Sequence, residues 1–202
     1  MSANIVLAST SKYRAASLQR LNLAFEQRAS NVDETPQPQE TAQQLATRLA
    51  ADKALSLVSA YPNSIIIGCD QTGLCNDQLM HKPGSRTAAI EQLSKMSGCA
   101  ATFYTAMTVI KTNQDGVASI THDLDTTDLK LRLLSAHEIE AYVDADMPLD
   151  CAGSFKIEAL GITLFSEVKT VDPSALQGIS LIQLTHRLKQ LGIIFGSTQP
   201  KC

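Results

Sequence analysis

Apolar positions along the chain switch between two periods. Ile5-Val6-Leu7-Ala8 is a continuous apolar run suited to a buried strand, and Ala15, Leu18 and Leu21 follow at helical spacing. Ala24 to Ala29 fits a short second strand, whereas Asn31 to Pro38 has two prolines and no period, which predicts a loop. From Thr41, Leu45, Leu49, Ala50, Ala54, Leu57 and Val58 mark one helix face, predicting a helix to about Ala60, where Tyr61-Pro62-Asn63 stops it. Ser64-Ile65-Ile66-Ile67-Gly68 lacks alternation, as expected of a strand covered on both faces. Asn76-Asp77 can turn a small hairpin toward Leu79-Met80, and Ser85 can cap a helix with Ala88, Ala89, Leu93 and Met96 inward. Two long strands, Ala101–Thr112 and Val117–Leu134, flank the turn Asn113-Gln114-Asp115-Gly116. Ser135 and Glu138 form a capping box that opens a helix to about Ala145. Gly153-Ser154-Phe155 and Gly161 to Phe165 bracket a loop and strand, Asp172-Pro173 is a turn, and Ile179–Leu191 is a final amphipathic helix. Residues beyond Gly196 are expected to be loose. The early alternation of strand and helix predicts an α/β core with some parallel pairing.

A length of 202 residues suits a single domain spanning 1–202 with a proper core. The net charge of −3 excludes a broad nucleic-acid surface, so any phosphate binding must come from a local cluster of cations. No stretch approaches the ~20 apolar residues of a membrane span, and the N-terminus lacks the regions of a signal peptide. Cys69, Cys75, Cys99, Cys151 and Cys202 are odd in number and form no CxxC, which predicts reduced thiols in a cytoplasmic protein.

Candidate chemistry collects in a few places. Ser9, Thr10, Ser11 and Arg14 stand where the first strand gives way to the first helix. They read either as an ordinary capped helix or as an anion site using helix N–H groups and a guanidinium fork. Asp70 follows a buried strand, at the carboxyl end where α/β sheets gather ligands; it reads as a metal ligand, a general base or a turn former. Glu34 is a second loop carboxylate. Lys53 lies on the apolar stripe between Leu49 and Leu57, so it either snorkels or points into a site. Lys82 is restrained by Pro83. The four histidines are scattered with no HExxH, and no GxSxG surrounds a serine, so neither a zinc protease nor a hydrolase triad has support.

Taken in order, these segments resemble the Maf-like nucleoside triphosphate pyrophosphatases. The family's S-x-S-P-R-R opening is similar to Ser9-Thr10-Ser11-Lys12-Tyr13-Arg14, its V-D-E loop to Val32-Asp33-Glu34, and its E-K-A to Asp52-Lys53-Ala54. Its G-x-D corresponds to Gly68-Cys69-Asp70, its G-K-P to His81-Lys82-Pro83, its S-G tract to Ser97-Gly98 with Thr102 to Thr105, and A-G-S-F-K-x-E to Ala152 through Glu158. The resemblance covers residues 4 to 192. An aromatic at Tyr13, Gln71 after Asp70 and the Phe155–Glu158 pattern resemble the branch that hydrolyses 7-methyl-GTP. Lys12 for Pro, Tyr13 for the branch's Trp, Cys99 for a polar residue and His81 for Gly are departures, and none removes a charge assigned to phosphate or metal.

The resemblance implies a mixed twisted sheet flanked by helices, with two lobes around a central cleft, as in ITPase-like folds. It implies hydrolysis between the α and β phosphates, with Ser9, Ser11, Arg14, Lys53 and Lys82 on the phosphates. Glu34 would bind a divalent metal, Mg2+ or Mn2+, and Asp70 would activate water or bind that metal. Tyr13, Gln71 and Glu158 would read the base: the ring by attracting a cationic purine, the Glu158 carboxylate by accepting from the guanine N1–H and 2-amino edge. A homodimer is compatible with the family. The rival readings are a nucleotide-binding regulator of septum formation, which has no use for both carboxylates, and a small-molecule phosphatase, which would release orthophosphate.

Overall fold

The computed structural model describes residues 4–196. The predicted run at Ile5–Ala8 is strand β1 (Asn4–Ala8), which pairs in parallel with β2 (Glu26–Arg28) on one side and β3 (Ser64–Cys75) on the other. Helix α1 (Lys12–Gln19) connects β1 to β2, and α2 (Ala42–Leu55) connects β2 to β3. From β3 onward the sheet is antiparallel, through β5 (Ala100–Asn113), β6 (Gly116–Leu131) and β7 (Phe165–Lys169); β4 (Gln78–Met80) hairpins back on β3. The full order is β2-β1-β3-β5-β6-β7, a mixed sheet of seven strands counting β4. No helix among the described residues is long and apolar enough to cross a membrane.

Strand alternation divides the core. Ile5, Leu7, Ile65 and Ile67 face α1 and the last helix, α5 (Leu181–Gln190), whereas Val6, Ala8 and Ile66 face Ala54 of α2. Burial on both faces is why Ile65-Ile66-Ile67 does not alternate. A separate apolar cluster forms the second lobe, where the far ends of β3, β5 and β6 pack under α3 (Arg86–Met96) and α4 (Ala136–Asp146). Phe155 stands edge-on to both Phe103 and Phe165 there, with centroids 5.4 and 4.9 Å away. The long strands thus run through both lobes, and the cleft opens between them.

Three boundaries differ from the sequence expectation. Helix α2 ends at Leu55, where Ser56 Oγ donates to the Lys53 carbonyl, and residues 58–60 make a separate 3-10 turn. Strand β6 ends at Leu131, because Arg132 N donates to the Leu164 carbonyl rather than to a strand neighbour. In the loop and strand region expected to include Gly161 to Phe165, residues 160–164 form a 3-10 turn, and β7 starts only at Phe165. The expectation for residues beyond Gly196 lies outside the described residues.

One glycine controls how α2 sits on the sheet. A Cβ at Gly68 would lie 2.2 Å from the Ala50 carbonyl oxygen and 2.7 Å from the Ala54 nitrogen. Both obstacles are backbone, so a larger residue must push the helix away. Gly68→Ala is expected to cost about 1–3 kcal/mol by overpacking, lowering Tm by several degrees. An unchanged melting curve would show that α2 does not depend on this close approach.

Candidate functional site

At the end of β1 the chain turns sharply, with Ser9 N bonded to the Leu7 carbonyl at 2.9 Å. Ser11 caps α1 by accepting from Arg14 N, while Ser9 Oγ accepts from Ser11 N at 3.1 Å and from Arg14 Nη1 at 3.3 Å. The hydroxyls thus divide their work: Ser11 caps, and Ser9 holds the turn and the guanidinium. Arg14 Nε donates to the carbonyl of Gly178, whose φ of +90° and proximity to the guanidinium require a glycine. Arg14 is fixed at both ends, beside the positive terminus of α1.

Opposite lies a buried charge cluster. Lys53 occupies the last turn of α2, one turn beyond Leu49, on the face pressed against β3. On β3 the even-numbered positions point toward α2, so Asp70 follows Gly68 on that face. Lys53 Nζ meets Asp70 Oδ1 at 2.7 Å and Glu34 Oε1, from the proline-rich loop, at 2.6 Å. The lysine side chain is 6% exposed and that of Asp70 10%, against 61% for Glu34. Lys53 therefore points into the site rather than snorkelling.

The two carboxylates titrate in opposite directions. Burial raises the Asp70 carboxyl above its usual range, and the charges of Arg14 and Lys53 do not fully offset it. Glu34 is also pushed up by partial burial, but its bond to Lys53 and the charges of Lys53, Lys82 and Arg14 win, leaving it lowered. Folding thus makes Asp70 the harder of the two to ionise and Glu34 the easier.

These groups line one cleft of about 730 Å³, together with Tyr13, Gln71, Lys82 and Asp150. Lys82 reaches it from the loop after β4, where Gln92 of α3 bonds both the N–H and the carbonyl of His81. Gln71 is held by Thr105 and Ala175. Its amide nitrogen is 2.9 Å from Thr105 Oγ1 and 2.9 Å from the Ala175 carbonyl, which only accepts, so its oxygen is the group left for a ligand. Tyr13 donates its hydroxyl to Asp150 Oδ1 at 2.8 Å, and Lys12 pairs with Asp150 Oδ2 at 2.9 Å. Partial burial works to raise the Asp150 carboxyl, but Lys12 and Tyr13 pull it down to about 2.

Every sequence candidate but one lines this cleft. Glu158 does not: it is exposed, on a tight turn in which Ala159 N and Gly161 N both close on the Lys156 carbonyl. The carboxylate beside Tyr13 is Asp150. Sequence reasoning missed Asp150 and Gln92, which carry no local signal.

Oxygen donors surround the Lys53 cluster, and among the described residues no three His, Cys, Asp or Glu side chains gather as a metal cage. Glu34 and Asp70, sharing one lysine, are the carboxylates this cleft could offer a magnesium-type ion, which takes one or two of them when substrate phosphates and water complete its shell.

A model of the family described as Maf-like protein matches residues 4–191. A protein of Xanthomonas oryzae pv. oryzae named 7-methyl-GTP pyrophosphatase is 44% identical over 192 residues, covering 95% of this chain and 98% of that protein. One from Aromatoleum aromaticum with the same name is 43% identical, covering 94% and 96%. The solved structure of a HAM1 protein from Coxiella burnetii superposes with a TM-score of 0.51 at 13% identity, over 94% of this chain and all of that one, a likeness of fold.

Because folding raises the Asp70 carboxyl, its stabilising contribution is complete below the unfolded-state value and is lost as pH rises through the folded-state value. The parent should therefore lose stability relative to Asp70→Asn as pH rises from about 4 to about 7, while loss of the buried partner of Lys53 lowers the variant's Tm throughout. A Tm difference between parent and variant that does not change with pH would show that Asp70 titrates alike in the folded and unfolded chain.

Proposed function

Because the chain belongs to the Maf-like protein family, we propose that it is a nucleotide pyrophosphatase that hydrolyses 7-methyl-GTP to 7-methyl-GMP and pyrophosphate. The observation that carries this reading is the buried lysine between two carboxylates, facing a fixed arginine across one cleft. An anion receptor alone would need the cations and not the carboxylates. The likeness to relatives named for this activity supplies the substrate.

In this reading Ser9, Ser11 and Arg14 at the start of α1, with Lys53 and Lys82, hold the triphosphate. Water attacks the α-phosphorus in line with the bridging oxygen, that bond breaks, and pyrophosphate leaves. Asp70 takes the proton. Its Oδ1 is occupied by Lys53, which leaves Oδ2 to orient the water, and its raised carboxyl pKa makes it a stronger base than an exposed aspartate. Glu34 would hold a divalent cation, magnesium or manganese by the nature of its donors, and when bound this ion would neutralise charge on the α-phosphate oxygens. Tyr13 and Gln71 face the base, the first by its ring and the second by its acceptor oxygen. The cytoplasm, which keeps thiols reduced, suits the four free cysteines of the described residues.

The test is a product assay with magnesium or manganese over 7-methyl-GTP, GTP, dTTP, UTP and CTP. Pyrophosphate release should be strongest with 7-methyl-GTP, and Asp70→Asn should lower kcat by about 100-fold or more while nucleotide affinity persists. Release of orthophosphate, or a variant with near-normal turnover, would contradict the mechanism; preference for dTTP or UTP would contradict the substrate.

A further inference from the structure

The mouth of the cleft already holds a cation. Lys12 Nζ lies 5.0 Å from the centroid of the Tyr13 ring and 2.9 Å from Asp150 Oδ2, and the Tyr13 hydroxyl is bonded to the other oxygen of the same carboxylate at 2.8 Å. An aromatic ring and a carboxylate locked together by that hydrogen bond make a receptor for a positively charged group. All three residues line the cleft that holds Arg14, Lys53 and Lys82. The contact also joins the lobes, since Lys12 and Tyr13 open α1 while Asp150 follows α4.

Resting on the reading above, we infer that Lys12 is an internal stand-in for the cationic base of the substrate, and that Asp150 is the carboxylate that selects it. Methylation at N7 gives guanine the positive charge that ordinary guanine lacks. The Lys12 side chain is 70% exposed and that of Asp150 49%, and ion pairs so open to water are weak. Lys12 can therefore swing into solvent at little cost while the flat cationic purine takes its place on the Tyr13 ring. The ring lends dispersion to any base. Asp150 supplies the preference for charge, and Lys12 tempers it by competing for the same position. This gives Asp150 a part in base selection that the resemblance gave only to Tyr13, Gln71 and Glu158.

Two substitutions should move selectivity in opposite directions. Lys12→Ala leaves the ring and carboxylate without a cation. It should raise the ratio of kcat/KM for 7-methyl-GTP over GTP by about threefold or more, through KM. Asp150→Asn keeps size and a hydrogen-bond acceptor for Tyr13 but removes the charge. It should lower that ratio by about tenfold, through a higher KM for the methylated nucleotide. Calorimetric titration with 7-methyl-GMP and GMP gives the same comparison without turnover, so it stands even if the proposed reaction does not. If both variants leave both ratios at the parent value while the parent prefers the methylated nucleotide, the inference is wrong and the pair serves only to join the lobes. A parent protein with no preference in either assay would overturn the substrate reading itself.

Discussion

An ammonium group at Lys53 Nζ is held out of water beside a buried carboxylate. Neither charge is tolerable alone in such a place, because desolvation penalises each and only their pairing offsets it. Lys53 is 5% exposed and Asp70 7%, so α2 and β3 must meet with both side chains already in register. Gly68 permits that contact, and the strand alternation that carries Ile66 and Gly68 toward α2 carries Asp70 there too. Glu34 then closes the cluster from the solvent side, drawing the loop between β2 and α2 over it. Removing Lys53 would strand a buried carboxylate and release the loop.

The second lobe enters by another route. Because β3 and β5 run through both apolar clusters, the cleft walls share strands instead of meeting at a linker, and Lys82 is set against Lys53 by the sheet itself. Gln92 fixes the loop that carries Lys82, and the Gly178 turn fixes Arg14. Arg14 and Lys82 therefore face the cluster of Lys53, Glu34 and Asp70 across a space sized for a nucleotide. Local positive charge inside a protein of net charge −3 is what a small anionic substrate requires.

Where chemistry repeats along the chain, the sequence was readable. Ile65-Ile66-Ile67 announced a strand buried on both faces, and Thr41 and the capping box Ser135/Glu138 marked helix starts that the structure keeps. The charged candidates Arg14, Lys53, Asp70 and Lys82 stood out because each interrupts or restrains a pattern that packing alone would not demand. Asp150 had no such signal. It is a loop carboxylate whose partner Tyr13 lies 137 residues away, and only the folded chain makes it part of a cation site. Glu158 lies outside the cleft lining for the complementary reason: it is exposed on the turn that closes on the Lys156 carbonyl, and nothing local in the sequence states the direction of that turn. The 3-10 segment before Phe165 was likewise invisible, since Gly161-Ile162-Thr163-Leu164 carries strand-forming residues that tertiary contacts hold in another conformation.

The most direct measurement is a crystal structure with a 7-methyl-GTP analogue whose α–β bridging oxygen is a methylene. The account predicts the phosphates between the start of α1 and Lys53, within hydrogen-bond reach of Arg14 and Lys82, and the base on the Tyr13 ring beside Asp150 with Lys12 displaced. Phosphates lying away from Lys53 and Asp70, or a nucleotide bound outside this cleft, would contradict it.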